Sequence, residues 1–317
     1  MNMSNKKIKV IFMGTPDFAV PSLENLFKDP SLEIAAVITQ PDRPAKRNQA
    51  LTPPPIKLIA QKFNLSIFQP LSINEIYSEL KKIRPDLILV VAYAQLIPEK
   101  ILNLPAYGAI NIHASLLPCY RGAACIQAAI LNNDQETGVT LIKMDKKLDQ
   151  GPIIAQVKIK INADDTGGSL TDKLSRLGAD LLTHTLHAYI SGQIKLQKQN
   201  DSQASYVNKL KKSDGLINWN EPAETIERLI RAMYPWPSAF TLLTGKLNLK
   251  ILAAEVGDAD GIKPETPGKI FIYDKNMAVH SGQGFLIIKT IQPAGKNKMT
   301  GTEFLRGRPD AVGEILR

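Results

Sequence analysis

Short apolar runs alternate with helix-like segments along the first part of the chain. The runs at 8–12, 34–38 and 86–92 are mostly apolar and have the length of buried strands. By the same criteria, further strands are predicted at 66–68, 109–113, 138–144 and 153–161, and helices at 18–27, 53–63, 74–83, 123–131 and 169–190. Strands that alternate with helices predict an α/β fold. We expect a doubly wound, Rossmann-like sheet that is mostly parallel and has helices on both faces.

The pattern changes after residue 190. Residues 192–205 are polar and rich in Gln, Asn, Ser and Lys, which is typical of a linker. One helix is predicted at 221–233, and short apolar runs then follow at 247–253, 268–273, 277–280 and 284–291. Short strands at this spacing, separated by Gly, Pro and Asp, predict a small β-barrel. The expected organisation is therefore a domain at 1–190, a linker at 191–207 and a second domain at 208–317.

Charge changes the picture in one region more than in the others. The 317 residues carry a formal net charge of +9, which fits either a polyanionic partner or an ordinary lysine-rich surface. Between 190 and 212 the only acid is Asp201, and the basic residues there are Lys195, Lys198, Lys209, Lys211 and Lys212. This local excess of lysine favours contact with a polyanion near the start of the second domain.

Several classes of protein are disfavoured by composition. The two cysteines, Cys119 and Cys125, match no zinc-binding spacing and cannot form a disulfide framework, so a reduced, cytoplasmic chain is expected. Residues 1–9 are polar and basic and do not resemble a signal peptide. The sequence contains no apolar stretch near the roughly 18 residues of a membrane span, so no membrane association is expected.

Candidate chemistry lies on the strand at 109–113. Side chains alternate along a strand, so Asn111 and His113 should project from one face about 7 Å apart. An amide can donate to a developing oxyanion without titrating, and an imidazole can move a proton. A nearby carboxylate, for which Asp149 and Asp145 are rivals, would orient the imidazole ring. Such a set can manage acyl transfer to an amine, although two hydrogen-bonded polar residues at a strand end are the simpler interpretation.

Two other motifs have weaker functional interpretations. Gly14 opens a turn after the first strand, but the turn lacks the second and third glycines of a dinucleotide-binding loop, which disfavours a nicotinamide enzyme. His184 and His187 stand three residues apart on a predicted helix, and no third metal ligand accompanies them. We therefore expect a tight turn and two packing or surface histidines.

Taken together, the motifs resemble the folate-dependent formyltransferase family over nearly the whole chain. The matching runs lie at 10–19, 39–45, 53–57, 90–94, 110–118, 121–124, 148–151, 235–237 and 292–296. The opening run, the Gln-Pro-Asp-Arg-Pro loop at 40–44 and the C-terminal half resemble the branch of the family that acts on initiator tRNA. Within the family pattern, Asp149 and not Asp145 is the active-site carboxylate.

The resemblance implies a specific reaction. A formyl group would pass from 10-formyltetrahydrofolate to the α-amino group of methionyl initiator tRNA, with no metal. Asn111, His113 and Asp149 would be catalytic, and the C-terminal domain would be an oligonucleotide-binding-type (OB-like) barrel that contacts the tRNA. The predicted folate-binding residues are Ser115, Leu116, Leu117 and Pro118. The predicted tRNA-binding residues are Arg43, Lys46, Arg47 and Lys209.

The chain departs from the family pattern in its basic loop. Residues 48–50 read Asn-Gln-Ala where glycine and lysines are common, which leaves Arg47 as the best candidate for a phosphate contact. Cys119 also stands where relatives often have a basic residue. Other acceptors stay open, namely a ribonucleotide amine, an amino sugar, or water in a hydrolase. An RNA-binding protein without catalysis is the alternative from another class. A monomer is expected.

Overall fold

The computed structural model describes residues 7–45, 50–243, 247–258 and 260–317. The described residues fall into two compact units. The first unit takes the described parts of Met1–Cys125, Thr137–Ile159 and Thr171–Val207, and the second takes those of Ile126–Glu136, Lys160–Leu170 and Asn208–Arg317. Neither unit is one continuous stretch of chain.

The bounds of the elements follow the apolar pattern closely. The strands are β1 Ile8–Gly14, β2 Leu32–Ile38, β3 Arg43–Ala45, β4 Ala50–Thr52, β5 Ile67–Phe68, β6 Leu87–Val91, β7 Ala109–His113, β8 Arg121–Gly122, β9 Glu136–Lys143, β10 Ile153–Lys160, β11 Tyr206–Val207, β12 Ala239–Leu243, β13 Leu247–Val256, β14 Ile270–Tyr273, β15 Asn276–His280, β16 Phe285–Pro293 and β17 Met299–Thr300. The helices are α1 Val20–Lys28, α2 Pro55–Lys62, α3 Tyr77–Ile83, α4 Glu99–Leu102, α5 Cys125–Leu131, α6 Gly167–Ile190, α7 Ala223–Met233 and α8 Gly301–Gly307.

Within the described ranges, seven strands of the first unit form one sheet in the order β10-β9-β7-β6-β1-β2-β5. The pairs β1/β2, β1/β6, β2/β5 and β6/β7 are parallel, whereas β7 and β9 are antiparallel. The mostly parallel, Rossmann-like α/β sheet predicted from the sequence is therefore confirmed. Because β1, β6 and β7 run the same way, the loops after them meet at one edge of the sheet, which is where α/β proteins bind ligands.

The core of the first unit explains the continuous apolar runs. Every residue of β6 is buried, because parallel strands between two helical layers have no solvent face. Side chains from β1, β2, β6 and the helix α3 share one cluster that includes Ile11, Ile38, Ile88 and Leu80. This core holds β7 rigidly between β6 and β9.

Residues 191–207, the predicted linker, belong to the first unit. Gln197 exchanges both backbone hydrogen bonds with Ile153, with N···O distances of 2.7 and 2.9 Å. Further along, β11 pairs in parallel with β8. The segment therefore packs on the first unit along part of its length.

The second unit contains an antiparallel sheet against which the amphipathic helix α7 and the shorter helix α8 pack. The strand order is β12-β13-β16-β15-β14, with β17 beside β16, and each of these pairs is antiparallel. Ile226 and Ile230 on α7 join Leu249, Ile251 and Leu286 of the sheet in one buried cluster. An antiparallel β domain is thus confirmed, while the closed barrel stays a prediction.

Some short elements had no clear sequence signal. The sequence did not predict β3, β4, α4, β12 or α8. Each is seven residues or shorter, so its apolar positions cannot establish a period. Among the described helices, none is long and apolar enough to cross a membrane.

Candidate active site

The strand β7 carries Asn111 and His113 into the sheet edge where the parallel strands end. Asn111 lies opposite Val90 of β6 and Ile142 of β9, and His113 lies opposite Thr140. The side chain of His113 is buried and that of Asn111 is partly exposed. Because β7 is paired with β6 on one side and with β9 on the other, its backbone holds these two side chains more firmly than a loop would.

Asp149 lies in the loop between β9 and β10, and it reaches both strand residues. Its Oδ1 accepts a long hydrogen bond of 3.4 Å from Asn111 Nδ2. Its Oδ2 lies 3.7 Å from His113 Nδ1 and accepts a 2.9 Å hydrogen bond from the backbone N–H of Gly122. The structure therefore brings together the three side chains that the sequence predicted to converge.

The backbone carbonyl of Tyr120 sets the orientation of the His113 ring. His113 Nε2 lies 2.9 Å from that carbonyl oxygen. Because a carbonyl only accepts, Nε2 carries the hydrogen and Nδ1 is the nitrogen that faces Asp149. The neutral ring thus presents a lone pair on Nδ1, and a protonated ring presents an N–H there. This contact could not be predicted from the sequence, because any residue at position 120 supplies the same carbonyl.

Gly151 is required by a close approach of the backbone. A Cβ at this position would collide with the carbonyl oxygen of Lys143, on the neighbouring strand β9. Asp149 itself has a φ of 53°, in the left-handed region that residues other than glycine seldom adopt. The loop is therefore tightly folded, and its conformation depends on the groups that hold it.

A cleft opens beside the Asp149 loop. Its walls are Gln95, Leu96, Ile97, Ile142, Met144, Asp145, Lys146, Lys147, Leu148 and Asp149. Leu96 is 80% exposed and Leu148 is 52% exposed, so two large apolar side chains of the cleft are open to solvent. The loop that follows β6 therefore borders the same cleft as Asp149. Gln95 fastens this loop by accepting from Ile73 N at 3.0 Å and donating to the Leu71 carbonyl at 3.2 Å.

The predicted folate-binding turn at 115–118 is partly buried. Ser115 and Leu117 are buried, whereas Leu116 and Pro118 are partly exposed. The Thr140 hydroxyl donates to Ser115 O at 2.7 Å and accepts from Leu117 N at 3.1 Å. These backbone groups are committed within the protein, so Leu116 and Pro118 are the members of the turn that a ligand can reach.

Two of the four predicted tRNA-binding residues lie within the described part of the chain. Arg43 is exposed at the start of the β3–β4 hairpin, and Lys209 is exposed in the second unit. Lys46 and Arg47 lie outside the described residues. The loop before Arg43 is anchored by Asp42, which accepts from Gln69 Nε2 at 2.7 Å and from Lys57 Nζ at 2.7 and 2.9 Å. The hydrogen bond from Gln69, and then the one from Lys57, lower the pKa of Asp42.

Asp145, His184 and His187, for which no functional role is expected, each have a structural partner. Asp145 is exposed and accepts a 2.8 Å hydrogen bond from the N–H of Lys147, which is ordinary turn capping. His184 Nδ1 lies 2.7 Å from the carbonyl of Asp180, and His187 Nε2 lies 2.8 Å from Asp29. In the part of the chain that the structure describes, His, Cys, Asp and Glu nowhere form a group of three that could hold a metal ion.

Comparison with known proteins connects this geometry to one family. Residues 6–186 match the model described as "Formyl transferase", and residues 209–309 match "Formyl transferase, C-terminal domain". The chain is 43% identical over 311 residues to the methionyl-tRNA formyltransferase of Trichlorobacter lovleyi, covering 97% of this chain and 96% of the relative. It is 44% identical over 314 residues to the methionyl-tRNA formyltransferase of Staphylococcus aureus, covering 97% and 99%.

A solved structure shares the fold at lower identity. The N-formyltransferase from Helicobacter canadensis, in complex with folinic acid and dTDP-3-aminofucose, is 24% identical to this chain. The two superpose with a TM-score of 0.64 over 92% of this chain and all of that one. At this identity the likeness supports the fold alone.

Proposed function

Since the chain belongs to the formyl transferase family, we propose that it transfers a formyl group from 10-formyltetrahydrofolate to the α-amino group of methionyl initiator tRNA. The observation that carries the proposal is the meeting of Asn111, His113 and Asp149 at the sheet edge. It occurs in a chain that matches methionyl-tRNA formyltransferases along nearly its whole length. This reaction makes the enzyme a one-carbon transferase of translation initiation.

The three side chains supply what an acyl transfer to an amine requires. The amine attacks the formyl carbon, and negative charge develops on the formyl oxygen. Asn111 donates to that oxygen, because one of its two amide hydrogens is engaged by Asp149 and the other remains available. The amide does not titrate, so this donation does not depend on pH.

His113 and Asp149 handle the proton. His113 Nδ1 carries the lone pair in the neutral ring, and it takes a proton from the attacking amine. The imidazolium that forms then faces the carboxylate of Asp149 at 3.7 Å, which stabilises the positive charge. When the bond between the formyl carbon and the folate nitrogen breaks, the proton passes to that nitrogen, so the protons balance.

The cleft beside Asp149 is proposed to receive the flat ring of the folate donor. Leu96 and Leu148 provide apolar contact within the cleft, and Leu116 and Pro118 are the partly exposed members of the predicted folate-binding turn. The cleft combines these apolar side chains with polar and charged ones, and a mixture of apolar walls and placed polar groups is usual in a small-molecule site. Within the predicted set, Ser115 and Leu117 support the turn from inside.

The basic residues are proposed to bind the tRNA. Arg43 and Lys209 are exposed, and phosphate contacts from such side chains are electrostatic and weaken with salt. The C-terminal unit, residues 208–317, is proposed to be an OB-like barrel that holds the body of the tRNA. Residues 1–190 form the proposed catalytic domain. The protein is proposed to act in the cytoplasm as a monomer.

A formyl-transfer assay tests the proposal directly. Purified chain and 10-formyltetrahydrofolate are mixed with methionyl initiator tRNA, methionyl elongator tRNA, an amino-sugar nucleotide or a ribonucleotide amine, with and without a chelator. Formylation of the initiator tRNA well above every other acceptor is expected. Preference for a small amine would replace the proposed acceptor, and tRNA binding without folate binding would favour an RNA-binding protein instead.

A further inference from the structure

The loop that carries Asp149 is held by a side chain from a distant part of the sequence. Gln199, within the predicted linker, donates from Nε2 to the carbonyl of Asp149 and to the carbonyl of Gly151, both at 2.8 Å. An amide nitrogen has two hydrogens, so one group holds both sides of the turn. Gln199 is buried, although the residues on either side of it are exposed.

Arg121 determines which way the Gln199 amide faces. The Oε1 atom of Gln199 accepts from Arg121 Nε at 3.1 Å and from Nη2 at 2.8 Å. A guanidinium group cannot accept a hydrogen bond, so a flipped amide would set two donors against each other. The arrangement therefore has one orientation, in which the amide donors point at the Asp149 loop.

Arg121 is in turn held by further partners from the same segment. Only 1% of this residue is exposed. It donates to Asp201 Oδ1 at 2.7 Å and to the Tyr206 hydroxyl at 2.9 Å. The hydrogen bond from Arg121 lowers the pKa of Asp201, which keeps that carboxyl ionised. A buried guanidinium needs such a full set of acceptors, because an unpaired buried charge is costly.

The next residue along the chain completes the connection. The N–H of Gly122 donates to Asp149 Oδ2, and β8 holds Gly122 against Val207 of β11. A Cβ on Gly122 would collide with the carbonyl of Val207, so the two backbones are in close contact. Residues 121 and 122 thus fix Asp149 twice, through its backbone by way of Gln199 and through its carboxylate directly.

We propose that Gln199, oriented by the buried Arg121, is a positioning residue for catalysis, which makes the segment 191–207 part of the catalytic apparatus. Resting on the proposed function, this inference adds a residue that contacts no reacting atom. Asp149 has a left-handed φ of 53°. Gln199 holds that conformation and thereby the position of the carboxylate beside His113 Nδ1. A displacement of about 1 Å in such a group can lower turnover about 100-fold.

The variant Gln199→Glu keeps the contact with Arg121 and removes the hydrogen bonds to the Asp149 loop. A glutamate still accepts from Arg121, but its second oxygen opposes the carbonyls of Asp149 and Gly151 instead of donating to them. We expect kcat to fall about 10- to 100-fold with the KM for each substrate changed less than about threefold. The matched control is Gln203→Glu, which makes the same charge change at an exposed position in the same segment and should change kcat less than about twofold.

A double-mutant cycle distinguishes positioning from a purely structural role. Once Asp149→Asn has removed the carboxylate, its placement no longer matters, so adding Gln199→Glu should lower kcat less than about twofold further. Independent losses that multiply would overturn the proposal, as would a Gln199→Glu enzyme with the turnover of the parent. If Gln199→Glu does not fold, as judged by thermal unfolding, the uncharged variant Gln199→Met takes its place in the same cycle, with the same outcomes.

The parent enzyme separates this inference from the function on which it rests. An active parent together with an unaffected Gln199→Glu variant overturns the positioning role only. A parent that formylates no acceptor overturns the proposed function, and the positioning role with it.

Discussion

Two loops of the first unit are held in opposite ways. The loop at Asp149 is fixed by Gln199 and Arg121, both of which are buried. The loop before Arg43 is fixed by an ion pair between Lys57 and Asp42 whose side chains are 21% and 30% exposed. Water and salt weaken the second arrangement far more than the first.

The difference follows from what each loop is proposed to do. A carboxylate that manages a proton must stay within a fraction of an ångström of its partner, and buried hydrogen bonds provide that precision. An arginine that meets a phosphate backbone acts at longer range, and a solvated loop can adapt to the RNA. The first loop should therefore govern kcat, and the second should govern the KM for tRNA.

An aspartate-to-asparagine substitution in each loop should produce the largest difference in kcat. Asp149→Asn removes the charge that stabilises the His113 imidazolium, and kcat should fall about 10² to 10⁴-fold. Asp42→Asn weakens an anchor outside the chemistry, so kcat should stay within about twofold while the KM for tRNA rises. Steady-state formylation with each substrate varied measures both constants. Similar losses of kcat in the two variants would remove the distinction between the loops.

His113→Ala should match Asp149→Asn in size, because the first variant removes the proposed proton acceptor and the second removes the charge that stabilises the protonated ring. We expect kcat to fall about 10² to 10⁴-fold, with tRNA affinity nearly that of the parent. Filter binding of methionyl initiator tRNA and thermal unfolding serve as controls for binding and folding. Near-normal turnover would show that His113 does not carry the proton.

A glycine substitution tests how tightly the Asp149 loop is built. In Gly151→Ala, the new Cβ meets the carbonyl of Lys143 and displaces the loop, so kcat should fall about 10- to 100-fold. Gly307→Ala is the control, since a Cβ at that position meets no atom within 4 Å. Kinetics and thermal unfolding of both variants should be compared. An unchanged Gly151→Ala enzyme would show that the loop tolerates displacement.

Much of the fold and of the proposed site could be predicted from the sequence, but the anchors that distinguish the two loops could not. Period-two alternation placed Asn111 and His113 on one face of β7, and the apolar runs of β1, β2 and β6 indicated a buried parallel sheet. The anchors were out of reach for a physical reason. Gln199 stands 50 residues after Asp149, in a polar segment without period, and its burial depends on Arg121, another 78 residues away. Contacts of this kind arise from tertiary packing, which no local pattern encodes.

A smaller effect is expected in the exposed loop. Arg43→Ala should raise the KM for tRNA about three- to tenfold and reduce the salt dependence of binding by about 0.7 to 0.9 in the log–log slope, because one phosphate contact is lost. Lys82→Ala, at another exposed position of the first unit, serves as the control and should leave the slope unchanged. A fall in kcat at saturating tRNA would assign Arg43 to the chemistry instead.

The smallest expected effect is the contribution of the buried His280 to the pH dependence of stability. His280 in the second unit stacks on Phe271 with ring centroids 4.1 Å apart, and burial lowers its pKa below the ordinary value of 6.5. The unfolded chain binds the proton more readily, so this histidine's contribution to stability is complete above about pH 6.5 and is lost as pH falls toward the folded pKa. Between pH of about 7.5 and 5.5, the melting temperature of the parent should therefore drop more than that of His280→Gln. Equal drops would mean that His280 contributes nothing to acid sensitivity.

The carbonyl of Tyr120 has a consequence for how this enzyme can change over time. It selects the tautomer of the His113 imidazole, the proposed proton carrier, through the main chain, which every amino acid shares. Substitutions at position 120 that preserve the path of the backbone leave the tautomer untouched, so this element of the mechanism can persist while the residue identity drifts. A search for invariant side chains would pass over it.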